Sequence, residues 1–233
     1  MATSSTTLIN QLHQQGFLHV DSGSILGKYC NSSEFQQFQR SWNDLPEDNH
    51  LLDNGHYRFR RYAVFTSIDG VLSKLPKEPH YQPRKYNHLH GGINRYFEEL
   101  TPASIESPVF KQVINWNLGI ISTKKYSNWR IQCHQFRICA NQFERGKPAP
   151  EGIHQDGSNY VFIMLLGRNN VQGAENTIHN KQGEILYRTT LQTPGEALLV
   201  DDKRHWHGVS EIVPEDKNQQ GIRDVLVFTF HAI

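Results

Sequence analysis

The chain has 233 residues, 37% of them hydrophobic, and its 24 lysines and arginines are nearly balanced by 23 aspartates and glutamates. A net charge this close to zero provides no broad basic field for nucleic acid or for an anionic membrane surface. The longest apolar run, residues 161–166, is far shorter than the about twenty residues that span a bilayer, and the amino terminus has no hydrophobic signal core. We therefore expect one soluble, cytoplasmic domain.

Cysteine and histidine usage limits the kind of metal site that this chain can form. The cysteines Cys30, Cys133 and Cys139 are odd in number and form no Cys-x-x-Cys pair, which argues against a disulfide scaffold or a thiolate zinc site. Histidine is abundant, with 13 copies. If the chain binds a metal ion, we expect imidazole and carboxylate ligands.

The amino-terminal third predicts two helices and a strand. Residues 7–15 are amphipathic, and Ser33 is a candidate N-cap of a second helix. Residues 57–65 are rich in aromatic and β-branched residues with a period near two, which predicts a strand. Because the chain is nearly neutral, three arginines of this strand are interpreted as facing solvent or ligand, not nucleic acid: Arg58, Arg60 and Arg61.

Residues 74–92 contain three prolines and a Gly-Gly pair, so an irregular segment of the kind that often forms lids or binding loops is predicted. Its histidines are interpreted as polar loop residues: His80, His88 and His90. Ser107 as N-cap and Pro108 at the first helical position then begin the most regular helix of the chain. Its apolar face is expected to pack on a sheet.

Beyond residue 128 the chain consists of short apolar segments separated by turns. Candidate strands are residues 129–139, 160–166, 185–189, 197–200 and 225–231. Such a series predicts an antiparallel barrel or sandwich with the earlier helices on its outside, a mainly β fold of the α+β class.

A candidate metal site begins with His154 and Asp156, just before the strand at residues 160–166. In an extended backbone, residues two apart project to the same face, so the imidazole and the carboxylate can reach one ion. A second His-x-Asp, at His19 and Asp21, lies between short helical segments and is interpreted as structural.

The third ligand is expected in the segment that carries His205 and His207, which would face the same way on a strand and which spacing alone does not separate. Two histidines and one carboxylate on one face of Fe(II) leave about three positions open for a chelating co-substrate and dioxygen. Arg223, in a later strand, can bind the far carboxylate of a diacid through two hydrogen bonds.

Five stretches carry a family resemblance: HQFRI (134–138), PAPEGIHQDG (148–157), LLGRNN (165–170), DDKRHWHGVS (201–210) and GIRDVLVFTF (221–230). In this order they resemble the 2-oxoglutarate/Fe(II)-dependent dioxygenases, and more closely the bacterial branch that contains L-isoleucine dioxygenase and related free amino-acid hydroxylases. The resemblance implies a double-stranded β-helix, the cupin-like jelly roll. It assigns residues 126–233 to this core with the metal site, and residues 1–125 to a buttress of helices and strands.

The resemblance also implies the roles of the site residues. His154, Asp156 and His207 would bind Fe(II), because the His-Gly-Val match selects His207, and Arg223 would bind 2-oxoglutarate. Dioxygen is the further co-substrate. The stretch QGAENT at residues 172–177 departs from the Gly-Gly-Glu-Thr-like turn of the family, a change expected to affect only the pocket edge.

The activity that the resemblance implies is hydroxylation of a free aliphatic L-amino acid such as isoleucine, leucine or methionine. 2-Oxoglutarate would be converted to succinate and CO2. A zwitterionic substrate needs a cation for its carboxylate and an acceptor for its ammonium group, for which Arg137 and Glu151 are the candidates. Candidates for the pocket wall are Tyr57, Arg61 and Tyr62. Turns or support of the metal ligands are the expected roles of Asp201 and Asp202.

Two alternatives remain at the level of sequence. The same chemistry could act on a carrier-tethered amino acid or on a different free one, such as lysine. A cupin-like binding module without catalysis is the other, although such a module would not need three ligands and Arg223 together. The expected partner is a small molecule, and neither nucleic acid nor membrane is expected. Whether the protein forms a homodimer is left open.

Overall fold

The computed structural model describes residues 4–89 and 91–233. Its helices are α1 (Ser5–Gln15), α2 (Ser22–Leu26), α3 (Ser33–Arg40), α4 (Pro102–Glu106) and α5 (Pro108–Ile121). Its strands are β1 (Phe17–Val20), β2 (Arg58–Ile68), β3 (Val71–Lys74), β4 (Trp129–Ala140), β5 (Tyr160–Asn169), β6 (Val171–Gly173), β7 (Asn176–His179), β8 (Ile185–Thr189), β9 (Ala197–Asp201), β10 (Trp206–Val209), β11 (Ile212–Pro214) and β12 (Gly221–Ala232).

The predicted helices form, and their caps explain where they begin. The side chain of Ser107 accepts a hydrogen bond from the backbone N–H of Val109, and Pro108 occupies the first turn of α5, as predicted. Helix α3 begins one residue earlier than expected, because Ser32 rather than Ser33 is its N-cap and accepts the N–H of Phe35.

The strands form three antiparallel sheets. A seven-stranded sheet has the order β1-β9-β5-β12-β4-β2-β3, and the smaller sheets are β10-β7-β8 and β11-β6. This arrangement confirms the predicted double-stranded β-helix, a mainly β fold with flanking helices. Strands β1, β2 and β3 come from the first 125 residues and nevertheless belong to the large sheet.

The two faces of the large sheet have different roles. On β12, Leu226 and Phe228 point to the face covered by the helices, where the Phe228 ring lies 5.8 Å from that of Phe110 on α5. Arg223 and Val225, on the alternate positions, line a cavity between the sheets. Because side chains alternate along a strand, the helices stabilise one face while the other face is left to build a site.

The irregular segment after β3 is as predicted in conformation but not in burial. Of its three histidines, His80 is buried at 5% exposure and lines the cavity, so its interpretation as a polar loop residue was wrong. His88 is exposed, and His90 lies outside the described residues. The QGAENT departure lies at the β6–β7 turn, where Ala174 has a φ of 58°. No helix within residues 4–89 and 91–233 is long and apolar enough to cross a membrane.

Candidate active site

His154, Asp156 and His207 converge at one point of the cavity. His154 and His207 lie opposite each other in a bridge in which each backbone N–H donates to the other residue's carbonyl at 2.9 Å. The Nε2 atoms of His154 and His207 lie 3.9 Å and 3.4 Å from the carboxylate oxygens of Asp156. One ligand atom from each residue lies within 4.8 Å of the other two. Backbone pairing thus brings two distant segments together around one point.

The donors of this triad suit Fe(II). Nδ1 of His154 lies 3.0 Å from the carbonyl oxygen of Gly152, which can only accept, so Nδ1 carries the proton and Nε2 is free to bind a metal ion. Two imidazole nitrogens and one carboxylate oxygen on one side of an ion form the ligand set of non-haem Fe(II) oxygenases. The residues present therefore fit the group that the sequence predicts.

The negative charge of Asp156 also favours metal binding. Burial alone would raise the pKa of Asp156, but its contacts with His207 and the nearby His154 hold it below its ordinary value of 3.8. Burial alone would lower the pKa of His207, but Asp156 raises it above 6.5. The carboxylate is thus ionised at neutral pH and stabilises a positive charge placed beside it.

A buried carboxylate, Asp202, supports two of the three ligands. Its Oδ1 accepts the backbone N–H of Asp156 at 3.0 Å and lies 3.7 Å from Nδ1 of His207. Its Oδ2 accepts the backbone N–H of Ser158 at 2.9 Å. Asp202 is 1% exposed and is not part of the triad, which agrees with its expected supporting role. Asp201 accepts the N–H of Lys203 in the adjoining turn.

His205, the alternative ligand, lies elsewhere. Its Nε2 is 2.9 Å from the carbonyl oxygen of Gln15, and its ring packs edge-on against Phe17. The structure therefore places His207, and not His205, beside His154 and Asp156. The other His-x-Asp copy is structural, as expected: His19 contacts Tyr187 and Glu196 at 2.7 Å each, and Asp21 caps α2.

Arg223 reaches the same cavity from β12. It is 2% exposed, and its Nε and Nη2 atoms have no hydrogen-bond partner. Burial and the nearby Arg168 lower its pKa to about 10, so the guanidinium remains charged at neutral pH. A buried guanidinium with free donors is suited to bind a carboxylate in two hydrogen bonds.

The carboxylate partner predicted for the substrate, Arg137, does not reach the cavity. Alternate residues of β4 line it, including His134 and Phe136, and Arg137 lies on the opposite face. Its Nε and Nη2 each donate at 2.8 Å to the carboxylate of Asp224. The assignment of Arg137 to the substrate is therefore corrected. Glu151 does line the cavity, with Oε1 3.6 Å from Nε2 of His154.

The three residues expected in the pocket wall likewise do not line the cavity, and neighbouring residues line it instead. Tyr57 donates from its hydroxyl to Asp53, and Arg61 donates to the carbonyl of Glu99. Tyr62 packs against His134 but does not line the cavity. The cavity instead receives Arg58 and Arg60 from β2, and His80, Gln82, Asn87 and Arg95 from the stretch between β3 and α4.

This irregular segment lies directly on the metal site. Nε2 of Gln82 donates to Oδ1 of Asp156 at 2.9 Å. Gly157, with a φ of 80°, lies so close to Tyr86 that a Cβ there would be 2.4 Å from the ring. Only glycine fits such a position without displacement of the Tyr86 ring. Sequence reasoning missed Gln82 and Arg95, since nothing local to a proline-rich loop indicates which residues turn inward.

Comparisons with known proteins agree with this site. The family model of the 2OG-Fe dioxygenases matches residues 39–229. The chain therefore belongs to the 2-oxoglutarate/Fe(II) dioxygenase family, whose members use Fe(II), 2-oxoglutarate and O2. No curated protein matches the sequence.

Solved structures extend the similarity over the whole chain. A bsmA homolog from Methylobium petroleophilum PM1 is 30% identical, with a TM-score of 0.88 over 100% of this chain and 94% of its own. IDO from Bacillus thuringiensis is 22% identical, with a TM-score of 0.83 over 99% and 100% of the two chains. The Fe(II)/α-ketoglutarate-dependent dioxygenase TqaL is 18% identical, with a TM-score of 0.77 over 98% and 87%. At these two lower identities the likeness shows the fold.

Proposed function

We propose that the protein hydroxylates a C–H bond of a free aliphatic L-amino acid of the isoleucine, leucine or methionine type. The products are the hydroxy-amino acid, succinate and CO2. The observation that carries this proposal is that the metal triad shares one cavity with three further kinds of group: an acid, Glu151, buried arginines, and an apolar wall. The wall is formed by Phe136, Ile138, Pro148, Ala149 and Val209. A small zwitterion with an apolar side chain requires all three.

Each of these site residues has a role in the proposed reaction. His154, Asp156 and His207 would hold Fe(II), and Arg223 would bind the far carboxylate of 2-oxoglutarate. When bound, iron and 2-oxoglutarate together supply the oxidation of the C–H bond by O2. The carboxylate of Glu151, close to the triad, would accept the ammonium group of the substrate. The apolar wall would keep the target carbon near the metal and exclude water.

The experiment is turnover of the purified protein with Fe(II), 2-oxoglutarate, O2 and each proteinogenic L-amino acid in turn. We expect at least one aliphatic amino acid to gain one oxygen atom by mass spectrometry, with one succinate formed per product. The His207→Ala variant and reactions without 2-oxoglutarate are the controls. If no free amino acid is oxidised while the protein binds Mn(II) and 2-oxoglutarate, the proposal is wrong. Oxidation of only a carrier-tethered amino acid would favour that alternative.

A further inference from the structure

Three buried arginines besides Arg223 line the cavity, and they lack enough acid partners. Arg58, Arg60 and Arg95 are 5%, 2% and 2% exposed. Asp48 pairs with the first two: its Oδ2 lies 2.7 Å from Nε of Arg58 and 3.6 Å from Nη1 of Arg60. Among residues 4–89 and 91–233, no carboxylate lies within ion-pair distance of Arg95. Asp156 and Glu151 act on Arg95 only from beyond ion-pair distance. The three guanidinium groups therefore share one directly contacting carboxylate, and such incomplete pairing of buried charge is costly unless an anion binds.

Two buried histidines orient these arginines without neutralising them. Nη2 of Arg95 donates to Nδ1 of His80 at 2.9 Å, and Nη2 of Arg60 donates to Nδ1 of His134 at 2.5 Å. Burial first, and then neighbouring positive charge, hold the pKa of each histidine well below 6.5. Both imidazoles are therefore neutral at pH 7, as acceptors of an arginine N–H must be.

The arginine side chains are fixed in place yet keep donors free. The rings of Phe97 and Phe136 lie 3.7 Å and 4.5 Å from Cζ of Arg60. The Nε–H groups of Arg60 and Arg95 have no acceptor although both side chains are buried. Buried donors normally have a partner, and a rigid guanidinium with free donors is an arrangement that a planar carboxylate satisfies.

This arginine cluster is separate from the site of 2-oxoglutarate but adjacent to the metal. In the sheet, Arg58 pairs with Ile138, which pairs in turn with Arg223, so one strand separates the two arginines by about 10 Å. Arg95 is joined to the triad through Gln82, whose Oε1 accepts from Arg95 at 3.0 Å and whose Nε2 donates to Asp156 at 2.9 Å.

We propose that Arg60 and Arg95 bind the carboxylate of the substrate, with the Arg58–Asp48 pair holding Arg60 in place. The assignment of this carboxylate to an amino acid rests on the proposed function. The site requires a free acid, because a carboxamide, an amine or a carrier thioester brings no negative charge to it. It therefore replaces Arg137 as the recognition element and favours a free amino acid over a carrier-tethered one.

The test compares acids with their carboxamides in the protein loaded with Mn(II) and 2-oxoglutarate. The probes are L-isoleucine, L-leucine and L-methionine, their carboxamides, and 4-methylpentanoate, a carboxylic acid without an ammonium group. We expect calorimetry to show binding of acids and not of carboxamides. Arg95→Met and Arg60→Met should each weaken binding of the acids by about 30-fold or more. Arg95→Lys should retain part of the affinity.

The matched control is Arg61→Met, on the same strand but facing away from the cavity, which should bind the acids as the wild type does. Circular dichroism reports whether each variant folds, since Arg95 contacts the metal triad through Gln82 and Mn(II) affinity is not independent of it. If Arg60→Met does not fold, Arg95→Lys and the carboxamides still decide. Equal binding of acids and carboxamides, or unchanged acid binding in Arg95→Met, would overturn the proposal. Arginine-dependent binding of 4-methylpentanoate without oxidation of any amino acid would instead keep this subsite and reject the proposed function.

Discussion

The carboxylate of Asp202 accepts the backbone N–H of Asp156 at 3.0 Å, and the same oxygen lies 3.7 Å from Nδ1 of His207. One buried acid thereby connects two metal ligands that are far apart in the chain. Because outer partners fix the orientation of metal ligands, Asp202→Ala should weaken Mn(II) binding by about 10- to 100-fold. Calorimetric titration of Mn(II) measures this. Asp201→Ala, in the adjacent turn, is the control and should bind Mn(II) normally.

The choice between His207 and His205 can be checked directly. His207→Ala removes one of the three converging donors, so Mn(II) binding and turnover should both be lost. His205→Gln changes a residue that contacts the carbonyl of Gln15 at the end of helix α1, so Mn(II) affinity should stay within about threefold of the wild type. Loss of Mn(II) binding in His205→Gln with retention in His207→Ala would contradict the assigned triad.

Arg223 should determine the affinity for 2-oxoglutarate without affecting the affinity for the metal ion. Its guanidinium is buried with two free nitrogens, and removal of one member of a buried charge pair costs about 2 to 5 kcal/mol. Arg223→Met should therefore reduce the affinity for 2-oxoglutarate by about 30-fold or more in the Mn(II)-loaded protein. Titration of 2-oxoglutarate measures this, with Arg188→Met, an exposed arginine paired with Glu175, as the control. Unchanged affinity would exclude this role.

The parts of the site that could be predicted from the sequence are those that depend on short local motifs. His154 and Asp156 could be paired because extended backbone gives residues two apart a common face, and the Ser107–Pro108 start of α5 follows from helix capping. Arg137 could not be placed, because β4 is buried on both faces: Cys133 packs beneath the helices and His134 lines the cavity. Apolar and polar residues alternate along β4, but the alternation changes phase between His134 and Gln135, so the pattern does not indicate which face Arg137 lies on.

Other parts of the site depend on contacts between distant residues, which no local sequence pattern predicts. Gln82 and Arg95 enter the cavity from a segment without a helix or an extended strand, so no periodicity predicts their direction. Strands such as β6 and β10 have three and four residues, too few to show a period. The fold class was nevertheless predictable, since it depends on the longer strands β2, β4, β5 and β12, which run for ten to twelve residues.

The buried histidines of the arginine cluster predict that acid destabilises the folded protein. Burial, together with nearby arginines, holds the folded-state pKa of His134 and of His80 well below the 6.5 of an unfolded chain. Between these pKa values the unfolded chain binds more protons, so the stabilisation is fully present above pH 6.5 and is lost as pH falls below it. Each histidine contributes a slope of up to about 1.4 kcal/mol per pH unit.

A single substitution separates the contribution of His134 to this pH dependence from the contributions of other titrating groups. His207 acts in the opposite sense in metal-free protein, because its raised pKa gives stability that is present below pH 6.5 and lost as pH rises through the folded-state value. His134→Asn keeps an acceptor near Nδ1 and removes one titrating group. Urea unfolding of metal-free protein between pH 5 and 7.5 should therefore show a free energy of unfolding that depends less on pH in His134→Asn, by up to about 1.4 kcal/mol per unit. Parallel pH profiles for the two proteins would mean that His134 is not held neutral beside Arg60.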